Sequence, residues 1–256
     1  MASVKGIILA GGDGTRLKPM TQIISKQLLP VYNKPMIFYP LTVLVQAGIK
    51  EILIITKPHE QNNFKKILGD GKNWDIDIKY AIQEEPKGIA ESLIIAKQWL
   101  NKSSCLLILG DNLFFGPELS KILKSVFLSS SGATIFGYQV SDPERYGVVS
   151  FDKNNKITSI EEKPNSPKSN WAVTGMYYYD AIAPEMAEKL VPSKRGELEI
   201  TDLNNQYLKG GNLKIELLGK GFAWLDTGTP DSLLEASNFV KIIESRQGLS
   251  IGEPSF

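Results

Sequence analysis

Residues 9–19 read LAGGDGTRLKP, and they follow an apolar run at 4–9 that predicts a buried strand. Three glycines stand where that strand ends, which predicts a sharp turn whose bare amide groups suit a phosphate. Arg16 lies within the turn and could meet the phosphate charge. The dinucleotide-binding fingerprint would need Gly or Ala in place of Leu17, and the ATPase loop would need Gly-Lys in place of Gly-Thr. The stretch therefore predicts a nucleotide loop of another kind, or a tight turn without a ligand.

The composition is that of an ordinary globular protein, with 42% hydrophobic and 22% charged residues among 256. The formal net charge is +1, so we expect neither a nucleic-acid nor a membrane partner. The single cysteine, Cys105, lies in an apolar run and cannot form an internal disulfide, which predicts a buried thiol in a reducing compartment. We find no signal-peptide pattern and no apolar run of about 18 residues. These features predict a cytoplasmic protein.

Short apolar runs alternate with segments of helical periodicity, which predicts an α/β fold. The first half alternates strand and helix and predicts a parallel sheet covered on both faces, and from about residue 133 the strands crowd together, so the sheet should become mixed. The predicted strands are 6–9, 51–56, 78–82, 105–109, 133–139, 147–151, 156–161, 172–179 and 213–217. The predicted helices are 36–47, 60–68, 89–100, 118–128, 184–190, 200–209 and 232–245.

Two aspartates follow apolar segments, at the carboxyl ends of strands where ligands of α/β sheets gather. Asp111 lies in LGDN (109–112), and Asp226 lies in WLDTGT (224–229). Mg²⁺ takes one or two carboxylates together with substrate phosphate oxygens, so both aspartates are candidate metal ligands. The alternatives are a turn that Asp111 forms with Asn112, and a helix cap that Asp226 forms for the helix after it.

Other polar side chains near strand ends are candidates for binding a nucleotide. Lys26 follows the glycine loop and could supply a point charge to a phosphate, or could be an ordinary surface lysine. Gln83 has a donor and an acceptor in one plane, which suits a pyrimidine edge, and Gly88 would let a base approach the backbone. Without further context, the segment that contains Gln83 and Gly88 reads as a plain turn.

A further group of residues could serve a sugar phosphate. Glu162 could accept a bond from a sugar hydroxyl and Lys163 could bind a phosphate, although such charge runs are usually solvated surface. Tyr146 could flank a sugar or simply pack. Arg195 could hold a phosphate where a helix begins, and nearby Thr201 or Asp202 could lie near the N-cap of that helix.

Together these segments resemble the nucleotide-sugar pyrophosphorylase family over roughly residues 4–248. The glycine loop alone fits any sugar nucleotidyltransferase, whereas RGELEITD and EEKP indicate the thymidylyltransferase branch. The similar motifs are GIILAGGDGTRL (6–17), SKQLLP (25–30), LGDN (109–112), DPERYGVV (142–149), EEKP (161–164), AVTG (172–175), RGELEITD (195–202) and WLDTGT (224–229).

The resemblance implies a Rossmann-like, three-layer nucleotide-diphospho-sugar transferase fold with a central mixed, mostly parallel sheet. It implies one domain over 1–256, with a nucleotide-binding half at about 1–130, a sugar-binding half at about 131–230 and a C-terminal helix at about 231–248. It also implies a homo-oligomer, either a tetramer or a dimer.

The resemblance further implies an enzyme that joins dTTP and α-D-glucose 1-phosphate into dTDP-glucose and pyrophosphate, with Mg²⁺ as cofactor. This reaction is the first step toward dTDP-L-rhamnose and related deoxysugars of the cell envelope. The residues implied for the nucleotide are Gly11, Gly14, Thr15, Arg16, Lys26, Gln27, Gln83, Gly88 and Asp111. Those implied for the sugar phosphate are Asn112, Tyr146, Gly147, Glu162, Lys163, Val173 and Arg195. Asp111 and Asp226 are implied as metal ligands, and the implied catalytic residues are Arg16, Lys26, Asp111, Lys163 and Asp226.

One departure and several alternatives accompany the resemblance. Longer family members continue with helical segments that contribute to a regulatory nucleotide site between subunits, so we do not expect feedback control in its usual form. An enzyme that uses UTP or another nucleoside triphosphate is an alternative, because one methyl group distinguishes thymine from uracil. A non-catalytic regulatory protein that binds sugar nucleotides is a second, and a nicotinamide oxidoreductase is disfavoured by the missing third glycine.

Overall fold

The structure is a computed structural model that describes residues 4–128, 131–154 and 156–254. The chain folds into two compact units. We call Lys5–Pro86, Ile108–Lys124 and Ala223–Phe256 the terminal unit, and Lys87–Leu107 with Ser125–Phe222 the central unit. Each unit is thus built from segments that are distant in sequence. The expected single domain with nucleotide-binding and sugar-binding halves stays a prediction.

The described residues form thirteen strands and seven α-helices. The strands are β1 (Lys5–Ala10), β2 (Pro30–Val31), β3 (Lys34–Pro35), β4 (Glu51–Thr56), β5 (Asp77–Ile82), β6 (Cys105–Leu109), β7 (Asn112–Phe115), β8 (Ala133–Gln139), β9 (Gly147–Phe151), β10 (Ile157–Glu162), β11 (Trp171–Tyr179), β12 (Leu213–Leu218) and β13 (Ala223–Asp226). The helices are α1 (Phe38–Gln46), α2 (Gln61–Leu68), α3 (Glu91–Leu100), α4 (Leu119–Phe127), α5 (Ala183–Ala187), α6 (Ile200–Lys209) and α7 (Pro230–Gln247).

The terminal unit has a parallel sheet and two antiparallel ribbons. β4 pairs in parallel with β1 on one side and with β5 on the other. In both β1 and β4 every residue after the first is buried, which is typical of parallel strands covered on both faces. The ribbons are β2 with β3 and β7 with β13. Because parallel strands end at the same edge, the loops after β1, β4 and β5 leave this sheet side by side.

The central unit has mixed pairing. β8 pairs antiparallel with β11 and parallel with β12. β9 pairs antiparallel with both β10 and β11. The prediction that the sheet becomes mixed after about residue 133 is therefore confirmed.

The predicted elements agree closely with the observed ones. All nine predicted strands and all seven predicted helices are present, and their bounds differ from the predictions by a few residues at most. The strands that sequence reasoning missed are β2, β3, β7 and β13, which are two to four residues long. Such short strands are too brief to display an alternating pattern.

Helix α7 begins with a capping box. The side chain of Thr229 accepts a hydrogen bond from the backbone N–H of Ser232, and the side chain of Ser232 accepts one from the backbone N–H of Thr229. The alternative that Asp226 caps this helix is therefore wrong. Gly248 ends the helix with a left-handed φ of 63°. Within the part of the chain that the structure describes, no helix is long and apolar enough to cross a membrane.

The inner face of α7 holds part of the terminal unit in place. Ala236 and Val240 are fully buried and pack in one cluster with Met36, Leu113 and Ile251. Leu113 is the second residue of β7, so this packing also fixes the strand that follows Asp111.

The only cysteine of the chain is inert in the folded protein. Cys105 is fully buried in β6, and this burial raises the pKa of its thiol to about 12. Because the thiolate is the reactive form, a thiol with such a pKa is almost entirely unreactive at neutral pH. The predicted buried thiol is confirmed.

Replacing Thr229 with alanine should destabilise the protein by about 1 kcal/mol, because α7 would lose the hydroxyl that caps its N-terminus. Urea denaturation followed by circular dichroism measures this change. Thr229→Ser keeps the hydroxyl and should unfold close to the wild-type midpoint. Equal stability of the alanine and serine variants would contradict the role of the cap.

Candidate functional site

The glycine loop of the terminal unit is held by its own backbone and by one buried side chain. Gly14 has a left-handed φ of 59°, and its carbonyl accepts bonds from the Leu17 N–H at 3.0 Å and the Thr21 hydroxyl at 2.7 Å. Leu17 is fully buried and anchors a single 3-10 turn. The same turn leaves Thr15 and Arg16 exposed, so the backbone is fixed while the side chains predicted to meet a nucleotide remain accessible.

Gln83 lies against the start of this loop. Its buried side-chain oxygen lies too close to the position of a Cβ at residue 11 for a methyl group to fit beside it, so any side chain there would displace the amide end of Gln83. The Gln83 N–H donates to the carbonyl of Thr56 at 2.8 Å, which places residue 83 directly after the paired ends of β4 and β5. Gly11 and Gln83, both implied for the nucleotide, are therefore in contact.

Lys26 and Asp111 form an ion pair that is largely shielded from water. Their side chains are 16% and 13% exposed. Burial by itself raises the pKa of Asp111, but the charge of Lys26, its hydrogen bond and a bond from Asn112 outweigh burial and hold that pKa below its usual value. Asp111 is therefore a carboxylate at neutral pH, and its counter-ion is the lysine that the sequence predicted for a phosphate.

The end of β13 brings Asp226 beside this pair. Asp226 is paired with Asn112 across the β7–β13 ribbon, and opposed residues of an antiparallel pair project from the same face. Asn112 donates to Asp111 Oδ1 at 3.2 Å and accepts from Trp224 Nε1 at 2.6 Å. Thr227 donates its N–H at 3.1 Å and its hydroxyl at 2.7 Å to the carbonyl of Asp111. Both aspartates are thus fixed next to Asn112, which itself is bound within the protein.

Arg16 lies near Asp226. A Cβ at residue 228 would be 3.2 Å from Asp226 Oδ1 and 3.8 Å from Arg16 Nη1. The glycine at 228 therefore leaves room between a carboxylate and a guanidinium. A methyl group there would be tight against Asp226 and in ordinary van der Waals contact with Arg16.

The donor chemistry of this part of the terminal unit fits Mg²⁺. Oxygen ligands from one or two carboxylates, completed by substrate phosphates, are the usual magnesium set. Within residues 4–128, 131–154 and 156–254, no group of three or more His, Cys, Asp or Glu side chains could hold a metal. Asp111 and Asp226 supply two carboxylates of the kind that Mg²⁺ binds, and their role as metal ligands stays a prediction.

Gln27, implied for the nucleotide, is buried and bound to its neighbours. Its Oε1 accepts a bond from the Ser25 hydroxyl at 2.6 Å, and its Cγ lies 2.9 Å from the Cβ position of Gly110. Gly110 precedes Asp111, so Gln27 supports the backbone of the metal candidate. Its contact with a nucleotide stays a prediction.

In the central unit, three residues implied for the sugar surround one small space. A Cβ at Gly147 would lie 3.5 Å from Glu162 Oε2, 3.8 Å from Val173 Cβ and 3.3 Å from Thr201 Oγ1. Gly147 and Glu162 are register partners in β9 and β10. The Thr201 hydroxyl donates to Glu162 Oε2 at 2.6 Å. The glycine therefore opens a space beside a carboxylate and a hydroxyl, which are groups that bind sugar hydroxyls.

Two cations flank the same carboxylate. Arg195 Nη2 lies 3.5 Å from Glu162 Oε1 and 2.8 Å from Glu199 Oε2. Burial alone would lower the pKa of Arg195, but these carboxylates raise it above its usual value. Lys163 has a left-handed φ of 44°, its N–H donates to the carbonyl of Tyr146 at 3.0 Å, and its Nζ lies 3.7 Å from Glu162 Oε1. The central unit therefore brings Lys163 and Arg195 to Glu162, and the backbone of Tyr146 is bound to Lys163.

Residue 88 must be glycine because the backbone of residue 198 lies very close to it. It has a φ of 106°, and a Cβ there would meet the backbone oxygen of Leu198 and lie 2.7 Å from its nitrogen. The Leu198 N–H donates to the carbonyl of Lys87 at 2.7 Å. Gly88 thus fixes the segment that leads to Glu199. Its contact with a base stays a prediction.

Sequence reasoning missed two hydroxyl groups of these sites. The sequence suggests Thr201 only as a helix cap, but the N-cap of α6 is Glu199, and Thr201 instead binds Glu162. Thr227 was not singled out, although it ties β13 to Asp111. The available signal was their place inside RGELEITD and WLDTGT, between residues that were identified.

Comparison with known proteins defines the class. The nucleotidyl transferase family matches residues 5–242. This chain therefore belongs to the nucleotidyl transferase family, and the predicted enzyme class is confirmed. Its sequence groups with the glucose-1-phosphate thymidylyltransferases, as the resemblance indicated. The protein of that name from Neisseria meningitidis is 54% identical over 97% of this chain and 86% of its own length. The one from Mycobacterium tuberculosis is 52% identical over 98% of this chain and 87% of its own length.

Solved structures agree with the predicted fold. A Bacillus anthracis chain, provisionally named a glucose-1-phosphate thymidylyltransferase and solved with sucrose, has a TM-score of 0.87 and 40% identity, covering 93% of this chain and 95% of its own length. A UDP-glucose pyrophosphorylase solved with UDP-glucose has a TM-score of 0.80 at 24% identity, covering 95% and 100%. The second likeness concerns the fold alone. The predicted nucleotidyltransferase fold with a mixed, mostly parallel sheet is confirmed.

Replacing Lys26 with methionine should destabilise the protein by about 3 kcal/mol, because Asp111 would remain charged and shielded without its counter-ion. Adding Asp111→Asn should restore part of that loss, since the buried charge is then absent. Urea denaturation of both single variants and the double variant measures the coupling. Lys72→Met, in an ion pair whose side chains are 84% and 59% exposed, is the control and should leave the free energy of unfolding nearly unchanged. Additive effects of the two substitutions would contradict the pairing.

Proposed function

We propose that this chain transfers the thymidylyl group of dTTP to α-D-glucose 1-phosphate, with formation of dTDP-glucose and release of pyrophosphate. The observation that carries the proposal is the shielded pair of Lys26 with Asp111 beside the glycine loop. The pair brings together a cation that would bind a phosphate and a carboxylate that would bind a metal ion. The choice of substrates is supported by the names of relatives that share about half of their residues with this chain over nearly its whole length.

The terminal unit is assigned to the nucleotide. Gly11, Gly14 and Thr15 would line it, while Gln83 would bind the base through its amide. Arg16 would neutralise the departing pyrophosphate.

Lys26 would contact the α-phosphate, which requires its ammonium group to exchange Asp111 for a phosphate oxygen. Asp111 and Asp226 would hold Mg²⁺, which supplies positive charge to phosphate oxygens.

The central unit is assigned to the sugar phosphate. Glu162 and the backbone at Gly147 would bind sugar hydroxyls, beside Val173. Lys163 and Arg195 would bind the phosphate. In the absence of substrate Arg195 is bound by Glu199, so a phosphate would compete with that carboxylate for the guanidinium.

The chemistry follows from charge. An oxygen of the sugar phosphate attacks the α-phosphorus, the bond from that phosphorus to the bridging oxygen breaks, and pyrophosphate leaves with the bonding electrons. The attacking phosphate is already ionised, so no general base is needed. The protein's task is to align two polyanions and to offset their repulsion with the cations of the two sites.

A substrate panel tests the proposal. We expect Mg²⁺-dependent release of pyrophosphate with dTTP and α-D-glucose 1-phosphate, at a higher rate than with UTP, CTP or ATP. The same triphosphates with other sugar 1-phosphates define the range of sugars. Faster release with UTP would replace dTTP in the proposal, and no release with any pair would favour a regulatory protein that binds sugar nucleotides.

The setting of the reaction is also proposed. The product would enter the synthesis of dTDP-L-rhamnose and related cell-envelope sugars. Synthesis from dTTP suits the cytoplasm, and a homotetramer or homodimer is the proposed assembly. Size-exclusion chromatography with light scattering measures the assembly.

Replacing Gly147 with alanine should raise the KM for the sugar 1-phosphate by at least about tenfold, because a methyl group would fill the space beside Glu162 and Thr201. The KM for dTTP should stay unchanged. Gly219→Ala, at a position where a Cβ meets nothing within 4 Å, is the matched control and should leave both constants unchanged. An unchanged KM for the sugar phosphate in the Gly147 variant would exclude this space as the sugar site.

A further inference from the structure

Lys57 reaches the glycine loop from a second strand. Ala10 of β1 and Thr56 of β4 are the last register partners of these parallel strands. The glycine loop follows Ala10 and Lys57 follows Thr56, so both leave the sheet at one edge. The ammonium group of Lys57 forms an ion pair with Asp13, which lies between two glycines of the loop.

The loop therefore meets two ammonium groups at consecutive residues. Lys26 Nζ lies 3.7 Å from the Cβ position of Gly12, and Lys57 Nζ is bound to Asp13. Each ammonium is held by one carboxylate, Lys26 by Asp111 and Lys57 by Asp13. The loop therefore has two ammonium groups beside it that could bind a polyphosphate. Each ammonium group is paired with a carboxylate of the protein itself.

The two pairs differ in how easily they open. Asp111 is 13% exposed, whereas Asp13 is 50% exposed. A half-exposed carboxylate that loses its lysine is solvated at once, so breaking this pair costs little. The side chain of Lys57 is 20% exposed, so the ammonium is held on the loop and not extended into water. Lys57 is thus the more readily exchanged of the two ammonium groups.

We propose that Lys57 is a further phosphate-binding residue, which contacts the pyrophosphate portion of the nucleotide, and that Asp13 is its counter-ion in the absence of substrate. The inference rests on the proposed function and deepens it. Lys26 is assigned to the α-phosphate, and Lys57 meets the loop one residue nearer to Arg16, which is assigned to the leaving group. A phosphate oxygen replaces Asp13 on the ammonium of Lys57, and Asp13 turns to solvent.

The two partners of this ion pair should have opposite effects on binding. Lys57→Met removes a ligand and should weaken the binding of inorganic pyrophosphate about tenfold, measured by calorimetry in the presence of Mg²⁺. Asp13→Asn removes the competing anion and should strengthen it severalfold. Lys57→Arg keeps the charge and should bind within a few-fold of the wild type. The KM for the sugar 1-phosphate should stay unchanged in all three.

A pair that only braces the loop would behave differently, because loss of either partner would then weaken binding. Weaker binding in both variants, or no change in either, overturns the inference. Lys50 and Asp75 are the matched control, since this ion pair lies at the amino end of β4, with side chains 52% and 89% exposed. Lys50→Met and Asp75→Asn should leave pyrophosphate binding unchanged.

The wild-type protein separates this inference from the proposed function. A wild type that neither binds pyrophosphate nor releases it from any substrate pair contradicts both. If the wild type is active and the Lys57 and Asp13 variants bind pyrophosphate with wild-type affinity, only the inference about Lys57 is contradicted.

Discussion

The pairing of Lys26 with Asp111 is the interaction on which the terminal unit's site depends. Two ions shielded from water are tolerated only while each keeps a partner, because desolvation of either costs several kcal/mol. Asp111 keeps Lys26 and Asn112, and its backbone is tied to Thr227. The turn that carries Lys26, the corner before β7 and the end of β13 are therefore fixed by one residue. A site assembled in this way holds its charges before any ligand arrives, which is what electrostatic catalysis requires.

In the central unit, a carboxylate is also held by a hydrogen bond and by neighbouring cations. Glu162 is held by the hydroxyl of Thr201 and has Lys163 and Arg195 on its other side. Arg195 in turn has Glu199 as its nearest carboxylate. Cations and carboxylates are interleaved in both units, so the local charge is nearly balanced in the absence of substrate. Under the proposed function, an anionic substrate would exchange partners with these groups, which would limit the net cost of binding a highly charged molecule.

Much of the fold could be predicted because long periodic segments carry their own signal. The sequence predicts β1 and β4 to within one residue and the helices to within a few residues. β7 and β13 were missed because four residues show no period and their pairing joins segments distant in sequence. The same limit applies to the sites. The residue types at strand ends could be predicted, but the contact of Gln83 with Gly11 and the bond from Thr201 to Glu162 arise only from tertiary structure. Those contacts depend on register and side-chain direction, which one sequence does not specify.

The buried position of Cys105 has a practical consequence. With its thiol inside β6 and almost fully protonated, the native chain offers no competing site for maleimide dyes or spin labels. A cysteine introduced at an exposed position would then be the single labelled site, with no need to remove the natural one first. Fluorescence or electron-spin-resonance probes could in this way follow individual surface segments during turnover, in a protein whose interior packing is left as it is.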